Sequence, residues 1–234
     1  MFERIADGIS MPDHARVLFG LAPRHAHTLT GHAEIAQAFT GRIGHMIEAE
    51  LKARVRDVES VKAALAARSA GQRSKYQDTY YDLADDRLSS EGRELRLRTI
   101  TTDNGRRSLL TYKEPTIDTA SGSKPEYETE VDDPSVMDSL LRGLDLKVLV
   151  GFEKHCINYR FVSEGRELLA TLLTVPELDG TFIELETIVP ESELAEALEV
   201  VRTTLRQLGI ADGDVTTEQY TDAVLATRKA SELP

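Results

Sequence analysis

Glu48, Glu50, Lys52 and Arg54 occupy every second position of the stretch 47–55, and Ile47, Ala49, Leu51, Ala53 and Val55 fill the positions between and beside them. Successive side chains of an extended strand point to opposite faces, so two carboxylates and two cations share one face and the apolar residues share the other. Carboxylate oxygens are hard ligands suited to Mg²⁺ or Mn²⁺, and ammonium and guanidinium groups grip phosphate oxygens. A strand facing a polyphosphate and its divalent metal would use this set, whereas a solvated sheet face is the bland alternative. The same sorting returns at Arg96 and Arg98, at Lys113, at Glu126 and Glu128, at Lys154, and at Glu184 and Glu186. Cross-strand ion pairs on a wet face would explain any one of these. Their repetition over several strands, in place of mixed Thr, Ser and Gln, points to a shared charged interior.

The elements that must position these residues are legible from residue 46 onward. After the first strand, Asp57 is suited to cap a helix through 67 with Val58, Val61 and Leu65 on one face. Extended segments are expected over 75–82, 93–100 and 106–113, the last two joined by a turn at 101–105 carrying an Asn-Gly pair. Residues 124–131 form another strand with Glu126, Glu128 and Glu130 on one face, and Asp133-Pro134 opens a helix to about 142. A strand over 147–163, broken or bent near Glu153, turns at Glu164-Gly165 into a strand ending near 175, and 180–189 alternates again. Helices close the chain over 191–208 and 216–229. About eight hairpin-linked strands with helices between them predict an α+β fold with a large antiparallel sheet, whose closure would remove its edges.

Residues 1–45 read differently: they hold five of the six histidines, and short helices are expected near 13–21 and 32–39. His25 and His27 read as polar loop residues in preference to metal ligands. The chain has 234 residues and a net charge of −12, which argues against nonspecific nucleic-acid binding while leaving room for one basic cavity. No stretch is apolar enough to span a membrane, and the N-terminus shows no basic or apolar leader pattern. The single cysteine, Cys156, excludes an intrachain disulfide and reads as a packed thiol, and a cytoplasmic location is expected. Tyr80 and Tyr81 read as packing residues, with stacking on a base as the alternative.

Taken in order, these motifs resemble the CYTH family, the triphosphate tunnel enzymes, which include class IV adenylyl cyclases, thiamine triphosphatases and inorganic tripolyphosphatases. The resemblance rests on Glu48-x-Glu50-x-Lys52, Tyr81-Asp82, Leu95-Arg96-Leu97-Arg98, Lys113, Lys124-x-Glu126-x-Glu128, Lys154 and Glu184-x-Glu186, and covers about 46–225. It implies an eight-stranded antiparallel closed barrel with helices packed outside, formed by 46–234, and leaves 1–45 as an extension of unassigned role. It further implies that Lys52, Arg54, Arg96, Arg98, Lys113, Lys154 and Arg160 bind phosphate. Glu48, Glu50, Glu126, Glu128, Glu184 and Glu186 would hold Mg²⁺ or Mn²⁺, with Lys52 and Glu50 closest to the chemistry.

The implied function is hydrolysis of a small-molecule triphosphate, in which water attacks the terminal phosphorus and orthophosphate leaves. The alternatives are cyclisation of ATP, with pyrophosphate leaving, and binding of phosphorylated ligands with little turnover. No nucleic-acid or membrane partner is expected, and a homodimer is left open. Two departures stand out: the late strand reads Lys154-His155-Cys156 where the family pattern has Lys-x-Arg, and no acid stands near 172–174 where the pattern often has Asp. Arg160, on the same strand parity as Lys154, is the expected substitute.

Overall fold

The computed structural model describes residues 46–119 and 121–231. The helices expected near 13–21 and 32–39, and His25 and His27, lie outside the described residues. Among the described residues nine strands form one sheet: β1 (Met46–Val55), β2 (Gln72–Leu83), β3 (Glu94–Thr102), β4 (Gly105–Lys113), β5 (Glu126–Glu130), β6 (Leu146–Ser163), β7 (Arg166–Thr174), β8 (Thr181–Pro190) and β9 (Val215–Thr216). Their order is β5-β4-β3-β2-β6-β7-β8-β1-β9, and every pairing is antiparallel.

The expected eight-stranded closed barrel is corrected on two points. A ninth strand, two residues long, pairs its Thr216 and Val215 with Lys52 and Ala53 on the outer edge of β1. Further along that edge β1 meets the entry to β5 only through an isolated bridge, Ile47 to Pro125. The ladder therefore leaves a seam between β1 and β5. β9 already takes Lys52 and Ala53 on that edge of β1, and β5 spans only five residues, so little of the edge is left for β5 to pair with.

Helices cover the outside of the sheet. α1 (Val58–Ala66) is capped by Asp57, whose carboxylate accepts from the Ser60 amide. α2 is the short segment Arg87–Ser90, and α3 (Pro134–Gly143) is capped by Asp133 with proline in its first turn. α4 (Leu194–Gln207) follows a turn of 3-10 helix at Glu191–Glu193, and α5 (Tyr220–Ser231) ends the described chain. Thr216 thus belongs to β9 and not to the last helix.

The apolar face of β1 packs outward. Leu51, Ala53 and Val55 join Ile183 and Leu185 of β8, Val61 and Leu65 of α1, and Val201 and Leu205 of α4 in one buried cluster. Burying such side chains contributes roughly 1.5–3 kcal/mol each, and that outer core is what allows the polar faces to turn inward. β6 runs unbroken, and its irregularity falls at Leu149, where the register against β2 shifts between Tyr80 and Tyr81. The expected bend near Glu153 is corrected accordingly, because an extra residue in one strand bends the sheet where it sits. The β6–β7 hairpin turns on Glu164 and Gly165, both at positive φ (50° and 78°), as a two-residue reverse turn requires.

Candidate active site

The inward faces of these strands line one cavity of about 340 Å³, within the range of small-molecule sites. Seven acidic and seven basic side chains line it, so this interior is near neutral although the chain carries −12 overall. Glu48, Glu50, Lys52, Arg96, Arg98, Lys113, Glu126, Glu128, Lys154, Arg160, Glu184 and Glu186 all lie along it.

Arg54 is the exception among the sequence-predicted residues. It shares a strand face with Glu48, but its partner across the ladder is Phe182, and its guanidinium lies 5.0 Å from that ring on the exposed side. There it meets Glu218 at 3.6 Å. Arg54→Ala is expected to change turnover by less than about threefold, since exposed ion pairs contribute about 0–1 kcal/mol. A tenfold loss in a steady-state assay would return Arg54 to the phosphate grip.

Register brings the carboxylates together. Glu50 of β1 stands directly opposite Glu186 of β8, and Glu48 follows two residues along. One carboxylate oxygen from each of Glu48, Glu50 and Glu186 lies within 4.8 Å of the other two. Among the described residues this is the group with the spacing of a metal-ligand set. The other expected ligands are engaged elsewhere: Glu126 meets Lys113 at 2.8 Å, Glu128 accepts from Thr111 at 3.0 Å, and Glu184 accepts from Lys154 at 3.1 Å.

The electrostatics of the triad fit a hard divalent cation. Burial, then the charges of Glu48 and Glu184, push the Glu50 carboxyl up to about 7. Burial, Glu48 and Glu50 hold Glu186 well above the ordinary carboxylate range. For Glu48 burial also acts upward, but Lys113, 2.6 Å away, outweighs it and brings the group to about 2. Three acids crowded where two resist ionisation form a site that a cation would relieve. The donor set, all carboxylate oxygen, suits Mg²⁺ or Mn²⁺.

Cations occupy the rest of the wall. Arg98 makes two parallel 2.6 Å bonds to Asp78 and lies 4.6 Å from the Tyr76 ring centroid. Arg96 donates to Thr111 at 3.3 Å, and its buried Nε has no partner among the described residues. A buried guanidinium nitrogen without an acceptor suits an anionic guest. Lys52 is buried, and burial lowers its pKa against the pull of Glu184 and Glu50.

A CYTH domain model matches residues 46–220. The chain belongs to the CYTH family. A Methanocaldococcus jannaschii protein named "Putative adenylate cyclase" is 27% identical over 180 residues, covering 75% of this chain and 97% of its own. The solved PH1819 protein of Pyrococcus horikoshii superposes with a TM-score of 0.67 at 27% identity, over 77% of this chain and 99% of its own. HpAC1 of Hippeastrum, described with a dominant triphosphatase activity, shares the fold at a TM-score of 0.54 and 21% identity, covering 81% and 97%. The CYTH family is metal-dependent in general and acts on triphosphates, and no helix among the described residues is long and apolar enough to cross a membrane.

Two departures from the CYTH pattern have structural answers. Beside 172–174, where no acid stands, β7 offers the cavity Thr171, which stands opposite Glu184 and donates to Asn158 at 3.0 Å. Arg160 lies exposed at the rim of the cavity and not beside Lys154. Cys156 is buried among Tyr76, Tyr80 and Phe152, and burial pushes its thiol up to about 12, which removes it as a nucleophile. Tyr80 stacks on Phe152 at 5.7 Å, and Tyr81 points away from the cavity, donating to Asp138 at 2.7 Å. Asp82 accepts from the Leu83, Leu88 and Ser89 amides, a structural role in the turn that leads into α2.

Sequence reasoning missed Asp78, Glu94 and Tyr220. Asp78 follows the two-residue period of Tyr76 and Tyr80, and Glu94 that of Arg96 and Arg98, so both could have been read. Glu94 pairs with Lys124 at the seam. Tyr220 carries no such signal, since it enters the cavity from the start of α5.

These shifts set a pH dependence. Glu50 and Glu186 bind protons more tightly folded than at the ordinary 4.5, so their contribution is favourable at low pH and is lost as pH rises toward and beyond 7. Asp78 and Glu48, both held at about 2, contribute fully above the ordinary carboxylate range and lose that contribution as pH falls. Metal-free protein is therefore expected to melt highest near pH 5–6 and to weaken toward about pH 8, where Mn²⁺ restores it. A melting temperature that is level from pH 5 to 8 without metal would contradict the crowding of the triad.

Proposed function

We propose that this CYTH domain is a metal-dependent phosphohydrolase that cleaves the terminal phosphoryl group of a small triphosphate. The observation that carries the reading is one cavity in which three crowded carboxylates face a wall of buried cations. Glu48, Glu50 and Glu186 would hold Mg²⁺ or Mn²⁺, which when bound neutralises phosphate charge and orients it for attack. Arg96, Arg98, Lys113, Lys154 and Lys52 bind the phosphate oxygens and stabilise the charge that shifts toward the leaving group. Phosphoryl transfer asks a protein chiefly for positioning and charge neutralisation, and the rigid ladder beneath these side chains suits both. Water attacks the terminal phosphorus, the phosphorus–oxygen bond to the rest of the chain breaks, and orthophosphate and a diphosphate leave with release of a proton. Residues 46–234 are the proposed catalytic domain and the proposed setting is cytoplasmic.

Cyclisation of ATP is the second reading, favoured by the name of the Methanocaldococcus relative. Purified protein with Mn²⁺ or Mg²⁺ is expected to release orthophosphate from tripolyphosphate or ATP. Cyclic AMP with pyrophosphate would favour the cyclase, and tight binding with no product would reduce the protein to a binder.

A further inference from the structure

Lys52 of β1 and Lys154 of β6 approach the same aromatic ring. Their Nζ atoms lie 4.5 Å and 4.2 Å from the centroid of Tyr220. In the sheet β1 and β6 are separated by β8 and β7, so no direct ladder sets the distance between these two ammonium groups. The ring itself is well anchored: it is 7% exposed and stands edge-on to Phe182 at 5.3 Å and 87°. Val224 of the same helix is fully buried, and β9, just upstream, pairs with the backbone of Lys52 and Ala53. The Tyr220 hydroxyl is on the Glu184 side of the ring. What the ring presents to the lysines is therefore its π face, which attracts ammonium electrostatically.

We propose that Tyr220 is a positioning residue whose ring holds the ammonium groups of Lys52 and Lys154 at one place in the cavity, ready for a phosphate chain. Two like charges beside one ring repel each other, and although Glu184 bonds Lys154 at 3.1 Å, that bond does nothing to keep Lys52 near it. The electron-rich ring attracts both ammonium groups and so opposes their separation before substrate arrives. α5 thereby governs affinity for the anion although it contributes no charge to the grip. The inference rests on the triphosphate reading for its ligand, but its geometry is testable without one.

A side chain that only fills space would be replaceable by any other of the same shape. Phenylalanine at position 220, and then phenylalanine with one, two and three ring fluorines, keeps the shape while weakening the π face in steps. KM for Mn²⁺–tripolyphosphate is expected to stay within about threefold for Tyr220→Phe and to rise stepwise to about tenfold at three fluorines. Over the same series kcat is expected to change by less than about threefold. A level KM across the fluorinated series, or a series in which kcat falls and KM does not, overturns the proposal. Independently, ¹³C-lysine spectra of the full chain without ligand should show ring-current-shifted ε-methylene signals for Lys52 and Lys154. Those shifts should persist in Tyr220→Phe and vanish in Tyr220→Leu. Unshifted ε signals in the unsubstituted protein overturn the proposal. Shifted signals in a protein that neither binds nor cleaves any triphosphate would support the placement of the lysines and sink the triphosphatase reading alone.

Discussion

Glu186→Gln is expected to lower metal-dependent turnover by about 10²–10³ while raising the melting temperature of the metal-free protein. The two effects have one cause. Glu186 sits opposite Glu50 and beside Glu48, and burial with those two charges holds it well above the ordinary carboxylate range. An amide of the same shape removes a charge that the apo protein resists carrying, so the fold gains. The same amide is a poor ligand for a hard cation, and the loss is of the size seen when one preorganised electrostatic element is removed from a site. Stabilisation by Mn²⁺, expected to be several degrees in the unsubstituted chain, should shrink in step. Thermal melts with and without Mn²⁺ beside an orthophosphate assay test all three. A variant that is less stable without metal and still fully active would mean that the triad neither crowds nor binds.

Asp78→Ala is expected to be the most damaging single change to the fold. Asp78 is 2% exposed and lies beneath Arg98, which it meets through two 2.6 Å bonds. The cost of bringing this pair out of water is offset only while both members are present. Removing one leaves a buried guanidinium without its counter-ion, a loss of about 3–5 kcal/mol. At roughly 2–4 °C per kcal/mol for a domain of this size, the melting temperature should fall by about 6–20 °C. Asp78→Leu combined with Arg98→Met should recover much of that stability, because the uncompensated charge has gone. The double variant should still fail to turn over tripolyphosphate, since the phosphate grip has lost Arg98. Equal melting temperatures for Asp78→Ala and the unsubstituted chain, measured by calorimetry, would show that the pair is not what holds this wall.

The missed and misplaced residues share a pattern. Asp78 and Glu94 obey the same two-residue alternation as their neighbours, but a single acid between two tyrosines, as Asp78 is, carries no repeated charge to mark it. Arg54 obeyed the alternation as well and still falls outside the cavity. At about 3.3 Å per residue, Arg54 is roughly 20 Å from Glu48 along the strand, beyond the wall formed by Phe182. Alternation assigns a side chain to a face; it carries no information about where along that face a cavity ends. The late strand illustrates the same limit: Arg160 shares the parity of Lys154 and reaches only the rim.

Local patterning alone was enough to establish which residues of each strand turn the same way, where the hairpins fall, and that an antiparallel sheet sorts its charges onto one side. Those properties depend on the pleat and on turn chemistry, which act over a few residues. Tertiary structure decided which faces meet. Glu50 and Glu186 become partners through the β1–β8 register across more than a hundred residues of chain, and Tyr220 reaches Lys52 and Lys154 from a helix with no strand period to announce it. The open seam was likewise decided there, where β9, from far along the chain, takes part of the β1 edge that a five-residue β5 would otherwise meet. Contacts between distant segments are set by which apolar outer faces can be buried together, a condition on the whole chain that no single stretch encodes.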